Sequence, residues 1–166
     1  MSKLDLNFEE SKGNWDAFLT LSPQRSIFLN TNFLDSLNID YSLVTCRDGD
    51  CIMAGVAILK EKGLPLQSVH PFTQYQGLLL SPPQKSSYHS QISKELTIAT
   101  QFIKQIVPAY PVLSLSHSWR LRDLRPFQWF DHHHHHNSPS FSLQLRYTGV
   151  LPYSSYCLLY TSDAAD

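Results

Sequence analysis

Three stretches of the chain carry side chains able to do chemistry. In Phe72-Thr-Gln-Tyr-Gln-Gly77, two amides and a phenol (Gln74, Tyr75 and Gln76) precede a glycine that permits close backbone approach. They could line a pocket and hydrogen-bond a polar substrate; the same pattern suits a bent core strand with its rings packed inward. Between Trp119 and Phe130, Arg120, Arg122 and Arg125 are interleaved with Trp119, Phe127, Trp129 and Phe130. Guanidinium groups chelate phosphate oxygens and aromatic faces stack on bases, so Arg125 and Trp129 are candidate contacts for a phosphate-bearing partner. The competing reading is a solvated loop with an aromatic anchor, in which Trp129 packs. The near-zero net charge of the chain favours it. Third comes the run His132-His-His-His-His136. Adjacent imidazoles bind Ni or Zn adventitiously, whereas a specific zinc site draws ligands from spaced positions that converge. No physiological metal site is expected there, and His132 stays a candidate hydrogen-bond partner or base.

Other chemistry is harder to assemble. No Ser-His-Asp or Cys-His arrangement can be argued, because His70, His89 and His117 are isolated and suit satisfied structural roles. Cys46 and Cys51 flank a turn in β-rich sequence. The first ten residues hold no apolar core of a secretion signal, so both cysteines read as reduced core thiols in the cytoplasm. The longest apolar run, residues 51–59, is well short of the roughly 20 residues a membrane helix needs, so no transmembrane segment is expected.

The last ten residues, Cys157-Leu-Leu-Tyr-Thr-Ser-Asp-Ala-Ala-Asp166, back-translate as TGT CTC TTA TAC ACA TCT GAC GCT GCC GAC. That string matches the mosaic end and primer site of a transposon-based sequencing library. Residues 157–166 are therefore set aside as an adapter-derived tail, and residues 1–156 are expected to form one truncated domain. Without Asp163 and Asp166 the 14 acidic residues become 12 against 13 basic ones, and the net charge moves from −1 to +1. Such a balance makes no electrostatic case for DNA or a membrane surface as partner.

The elements that must position these residues follow from periodicity. Residues 14–21 open with Asn14 as N-cap and carry Trp15, Phe18 and Leu19 at helical spacing, with Pro23 closing the helix. A second short helix is expected over 31–37. Residues 41–46 and 51–59 read as strands joined at Arg47-Asp-Gly-Asp50, a hairpin signal. Residues 67–80 read as a third extended stretch bent at Pro71, and 81–87 as a loop. Tyr88, Ile92, Leu96, Ala99, Phe102, Ile103 and Ile106 recur at steps of three and four until Pro108, which predicts a long amphipathic helix. Short strands are expected at 112–115 and at 141–147, where Phe141, Leu143 and Leu145 alternate with polar residues. The order α-α-β-β-β-α-β-β predicts an α/β (α+β) fold, a mixed β-sheet with flanking helices.

Together, this order and four local strings resemble the N-terminal half of FemAB-like acyltransferases with a GNAT-type fold. The strings are Asn14-Trp-Asp-Ala-Phe-Leu19 followed by Ser26-Ile-Phe-Leu-Asn-Thr-Asn-Phe-Leu34; the hairpin of residues 41–59; Pro71-Phe-Thr-Gln-Tyr-Gln-Gly77; and Pro126-Phe-Gln-Trp-Phe-Asp-His132 with Leu145-Arg-Tyr-Thr-Gly149. The resemblance spans most of residues 14–151. It implies a two-lobed parent protein moving an acyl group from acyl-CoA or aminoacyl-tRNA to an amine-bearing acceptor, such as a nucleotide- or lipid-linked cell-wall or polysaccharide precursor. This chain would be the incomplete first lobe and would lack the C-terminal one. No two of its six glycines lie close enough to form a pyrophosphate cradle, so no cofactor is expected in the fragment, which would be inactive alone. The competing class is a non-catalytic binding module that recognises a glycan, a nucleotide or a protein surface.

Overall fold

The hairpin signalled by Asp48-Gly49 is the spine of the fold. A computed structural model describes residues 4–83, 87–110, 112–130, 141–147 and 149. In it β2 (Asp40–Asp48) and β3 (Cys51–Glu61) pair antiparallel, from Asp40 opposite Lys60 to Asp48 opposite Cys51. Gly49 closes the two-residue turn at φ 58°, a left-handed value that glycine adopts without steric cost. The register shifts between the Cys46–Ala54 and Arg47–Ile52 pairs, leaving Met53 as the extra residue of a bulge. A second tight turn follows at Lys62-Gly63, with φ 52° and 79°, and leads into β4 (Leu64–Pro65). At the other edge β1 (Asp5–Asn7) pairs with β2, and β5 (Leu79–Leu80) joins β3 opposite Ala54 and Gly55.

Helices cover both faces of this sheet. α1 (Lys12–Leu21) starts at Ser11, whose hydroxyl accepts the Asn14 N–H, so the expected cap at Asn14 is corrected to Ser11. After a single 3-10 turn (Ile27–Leu29) comes α2 (Thr31–Ser36), capped by Asn30; the Asp16 carboxylate of α1 also accepts the Thr31 N–H at 3.0 Å. α3 (Tyr88–Ile106) is capped by Ser87, and a single helical turn, α4 (Arg125–Gln128), begins with Pro126 in its first turn.

One face of the hairpin, with Val44, Cys46, Ala54, Val56 and Ile58, packs on Ile98, Ala99, Phe102, Ile103 and Ile106 of α3 and on Phe127 of α4. The opposite face, with Leu43, Ala57 and Leu59, packs on Trp15, Phe18 and Leu19 of α1 and on Leu34 of α2. Burial on both faces explains why residues 54–59 are apolar without alternation. Gly55 makes room for α1: a Cβ there would stand 2.9 Å from Cζ3 of the buried Trp15. The expected α+β class is the observed one, a curled sheet between two helical layers.

Several finer expectations are corrected. Residues 67–78 are turns rather than a strand, held by Thr73 N–H to the His70 carbonyl and Gln76 N–H to the Thr73 carbonyl; only Leu79–Leu80 is extended and paired. Residues 112–115 form no strand, and Val112 is exposed. Their neighbour across the fold supplies a backbone acceptor at Gln76, to the Ser116 N–H, but the His117 imidazole takes the next position, so no ladder propagates. Residues 141–147 also lack a partner strand. Phe141 packs edge-on to Phe127 and Phe130, while Leu143, Leu145 and Tyr147 are exposed. Without these two segments every pairing among the described strands is antiparallel, where a mixed sheet was expected.

The α3 face is buried toward its C-terminal half. Ile92 and Leu96 are half-buried and Tyr88 exposed, whereas Ile98, absent from the expected face, is buried. Cys46 is buried and Cys51 exposed, so only the first is a core thiol. The histidine run at 132–136, including His132, and the tail at 157–166 lie outside the described residues. Among those described, no helix is long and apolar enough to cross a membrane.

Candidate functional site

The 66–78 loop returns across the sheet and lies against residues 113–118. The hydroxyl of Ser116 donates to the Gln74 carbonyl and its N–H to the Gln76 carbonyl, while Leu78 N–H donates to His117 Nδ1. Of the three candidates here, Gln76 is committed to the fold. It is 4 % exposed, its Nε2 donates to the Ala57 carbonyl at 3.1 Å, and its Oε1 accepts the Thr73 hydroxyl. It thereby fills a gap in the free edge of β3 between β4 and β5. Gln74 is exposed and Tyr75 half-buried beside Phe28, the ring centroids 6.3 Å apart. These two side chains can still meet a ligand.

The arginine- and tryptophan-rich segment follows directly. Phe127 is core, but Trp119 and Trp129 are 56 % and 60 % exposed. Each has a guanidinium over its ring, Arg120 at 5.0 Å and Arg125 at 5.5 Å from the centroid. Arg125 also forks onto Asp123, and that contact holds the carboxyl below its ordinary range. Its charge is thus largely spent inside the chain. Burial pushes the Glu95 carboxyl on α3 up, with Arg122 opposing and Asp123 reinforcing the effect.

A groove that the sequence did not reveal opens where β1, α1, α2 and β2 meet. It measures about 420 Å³ and is lined by residues including Phe8, Lys12, Asp35, Asp40 and Tyr41. Lys12 Nζ donates to both Asp35 oxygens at 2.8 Å, and the Tyr41 hydroxyl donates to Asp35 Oδ1 at 2.6 Å. The Lys12 contact holds Asp35 low and Lys12 high, while burial and then Asp35 raise the Tyr41 phenol. All three shifts move away from neutrality, so this cluster can hold a polar ligand yet offers no group poised for proton transfer near pH 7. Three ordinary surface residues spread over 30 positions left no pattern from which to find it.

Under the groove, Glu10 is 7 % exposed. Its carboxylate accepts from Asn14 Nδ2 at 3.0 Å, from the Thr45 hydroxyl at 2.8 Å and from Arg47 Nε and Nη2 at 3.0 and 2.8 Å. Burial alone would raise this carboxyl; the donors outweigh it and bring the pKa down to about 2. The buried Cys46 thiol is pushed up to about 12 by burial, which removes it as a nucleophile. No group of three His, Cys, Asp or Glu among the described residues is placed to hold a metal ion.

No protein-family model, no curated protein and no solved structure matches the chain.

Proposed function

We propose that this chain is the first lobe of a cytoplasmic acyl- or aminoacyltransferase with a GNAT-type fold. The whole protein would transfer an acyl group from acyl-CoA or aminoacyl-tRNA to an amine acceptor. The observation that carries the reading is the element order. Two helices and an antiparallel hairpin precede a long helix packed on the sheet, the part of the expected order that supports the reading. Within that reading the exposed Gln74 and the half-buried Tyr75 face the acceptor, and Trp119, Arg120 and Trp129 meet the phosphate-bearing end of a nucleotide- or lipid-linked precursor, with Arg125 held on Asp123 beside them. Direct transfer needs a base for the amine and N–H donors for the oxyanion. The donor cradle would belong to the second lobe.

A second reading, a non-catalytic binding module, is favoured by the pairing of the charges nearest the candidate sites: Lys12 with Asp35, Arg47 with Glu10 and Arg125 with Asp123. The test uses the protein expressed from its full natural gene. It is incubated with labelled acyl-CoA or charged tRNA and a panel of amine acceptors. Labelled amide product supports the transferase reading. No product with either donor, together with saturable binding of a glycan or nucleotide, overturns it in favour of the module.

A further inference from the structure

Among the described residues, 113–121 is held by Leu121 in the core, by Leu113 and Leu115 packed against it, and by a few hydrogen bonds of which His117 makes the central one. Its Nδ1 accepts the Leu78 N–H at 3.2 Å, one residue before β5. The ring lies against Phe127, centroids 4.4 Å apart. Gly77 makes the approach possible: a Cβ there would stand 2.6 Å from His117 Cα and 2.8 Å from its Nδ1. The other ties are the two Ser116 bonds to Gln74 and Gln76, and two at the long limit of hydrogen bonding, Gln24 Nε2 to the Arg120 carbonyl at 3.5 Å and Arg120 Nη1 to the Pro23 carbonyl at 3.4 Å. A segment without a ladder opens locally at less cost than the paired strands.

An imidazole that accepts at Nδ1 is neutral and carries its proton on Nε2. We propose that His117 is an acid-released latch: once protonated, Nδ1 becomes a donor facing the Leu78 N–H donor, and residues 113–121 detach from residues 74–80 while the β2–β3 sheet persists. Burial, the sole cause acting on this ring, holds its pKa down at about 4, so the latch is closed at neutral pH. The charged and titratable groups on the elements around it are Arg125 at the start of α4, paired with Asp123 just before it, His70 and Tyr75 on the 66–78 loop, Arg120 on its own segment and Arg122 just after it. None of them contributes to the displacement. The sign follows from a depressed histidine: the closed state is fully favoured above the unperturbed value of 6.5 and loses its advantage as pH falls toward 4.

The test is amide hydrogen exchange by NMR between pH 7 and pH 4, corrected for intrinsic rates, with His117 titrated in the same samples. Protection of the Leu78 and Ser116 amides is expected to fall at least tenfold between pH 6.5 and pH 4, the window set by His117, while Val44 and Val56 keep theirs. In His117→Asn, which retains an oxygen acceptor near the Nδ1 position and cannot be protonated there, Leu78 protection should stay flat. Three results would overturn the latch: simultaneous loss at Leu78 and Val56 in the wild type, an equal fall at Leu78 in the Asn variant, or titration of His117 with no change at Leu78. The wild-type series decides the matter even if the variant fails to fold.

Discussion

Replacing Glu10 by glutamine keeps the shape of the side chain and removes the charge that its donors surround. Besides Asn14, Thr45 and Arg47, the carboxylate accepts from Asn7 Nδ2 and from the Ser11 N–H, both at 3.2 Å. It thereby ties the strand-to-helix turn to the middle of β2. The fall in pKa from 4.5 to about 2 converts, at about 1.4 kcal/mol per tenfold change in proton affinity, to roughly 3 kcal/mol. Against a typical domain stability of about 5–15 kcal/mol that is a large share. A depressed carboxylate stabilises the fold above pH 4.5 and loses its contribution as pH falls through about 2. Urea unfolding at pH 7 should therefore show Glu10→Gln less stable by about 3 kcal/mol, with part of the loss traceable to an amide N–H placed against Arg47 donors. Between pH 4.5 and 2 the variant should lose less stability than the wild type. A deficit below about 1 kcal/mol at pH 7, or an unchanged acid slope, would mean that the network merely fills space.

Trp15→Phe removes the indole N–H that reaches the Leu29 carbonyl at 2.8 Å in a fully buried site, and should cost about 2 kcal/mol or more in a denaturant melt. Gly77→Ala places a methyl group within 3 Å of the Ser116 and His117 backbone and should cost about 1–3 kcal/mol, read by thermal melting. Phe102→Ala should cost about 3–5 kcal/mol, and Leu96→Ala, on the half-buried part of α3, less than half of that by the same assay. Ending the chain at Tyr156 should leave its melting temperature unchanged; a clear fall would count against setting residues 157–166 aside.

What could be read in advance was what depends on neighbours in sequence. The β2–β3 turn needs one glycine at the right place, and α3 announces itself through apolar residues three and four apart and Pro108. Residues 67–78, 112–115 and 141–147 have strand-like composition, but a strand exists only where another offers its edge; Gln76 and His117 occupy that edge with side chains. The site was ambiguous for a related reason. Gln74 and Gln76 look alike in sequence, and only burial separates the exposed amide from the one bonded to Ala57. Lys12, Asp35 and Tyr41 meet because α1 and α2 share a face of the sheet, a fact no local window contains.

Gln24 has a consequence for the order in which the chain folds. Its Oε1 accepts the Leu80 N–H at 3.0 Å across 56 residues, and its Nε2 reaches the Arg120 carbonyl across 96. The β2–β3 hairpin closes a two-residue loop and forms on local contacts, whereas these ties bring distant ends together and carry the entropy of long loops. They therefore belong late on the path, after the rate-limiting step. Removing the amide with Gln24→Ala should then leave the refolding rate nearly unchanged and show almost entirely as faster unfolding, so this single side chain sets the lifetime of the native state more than the speed of reaching it.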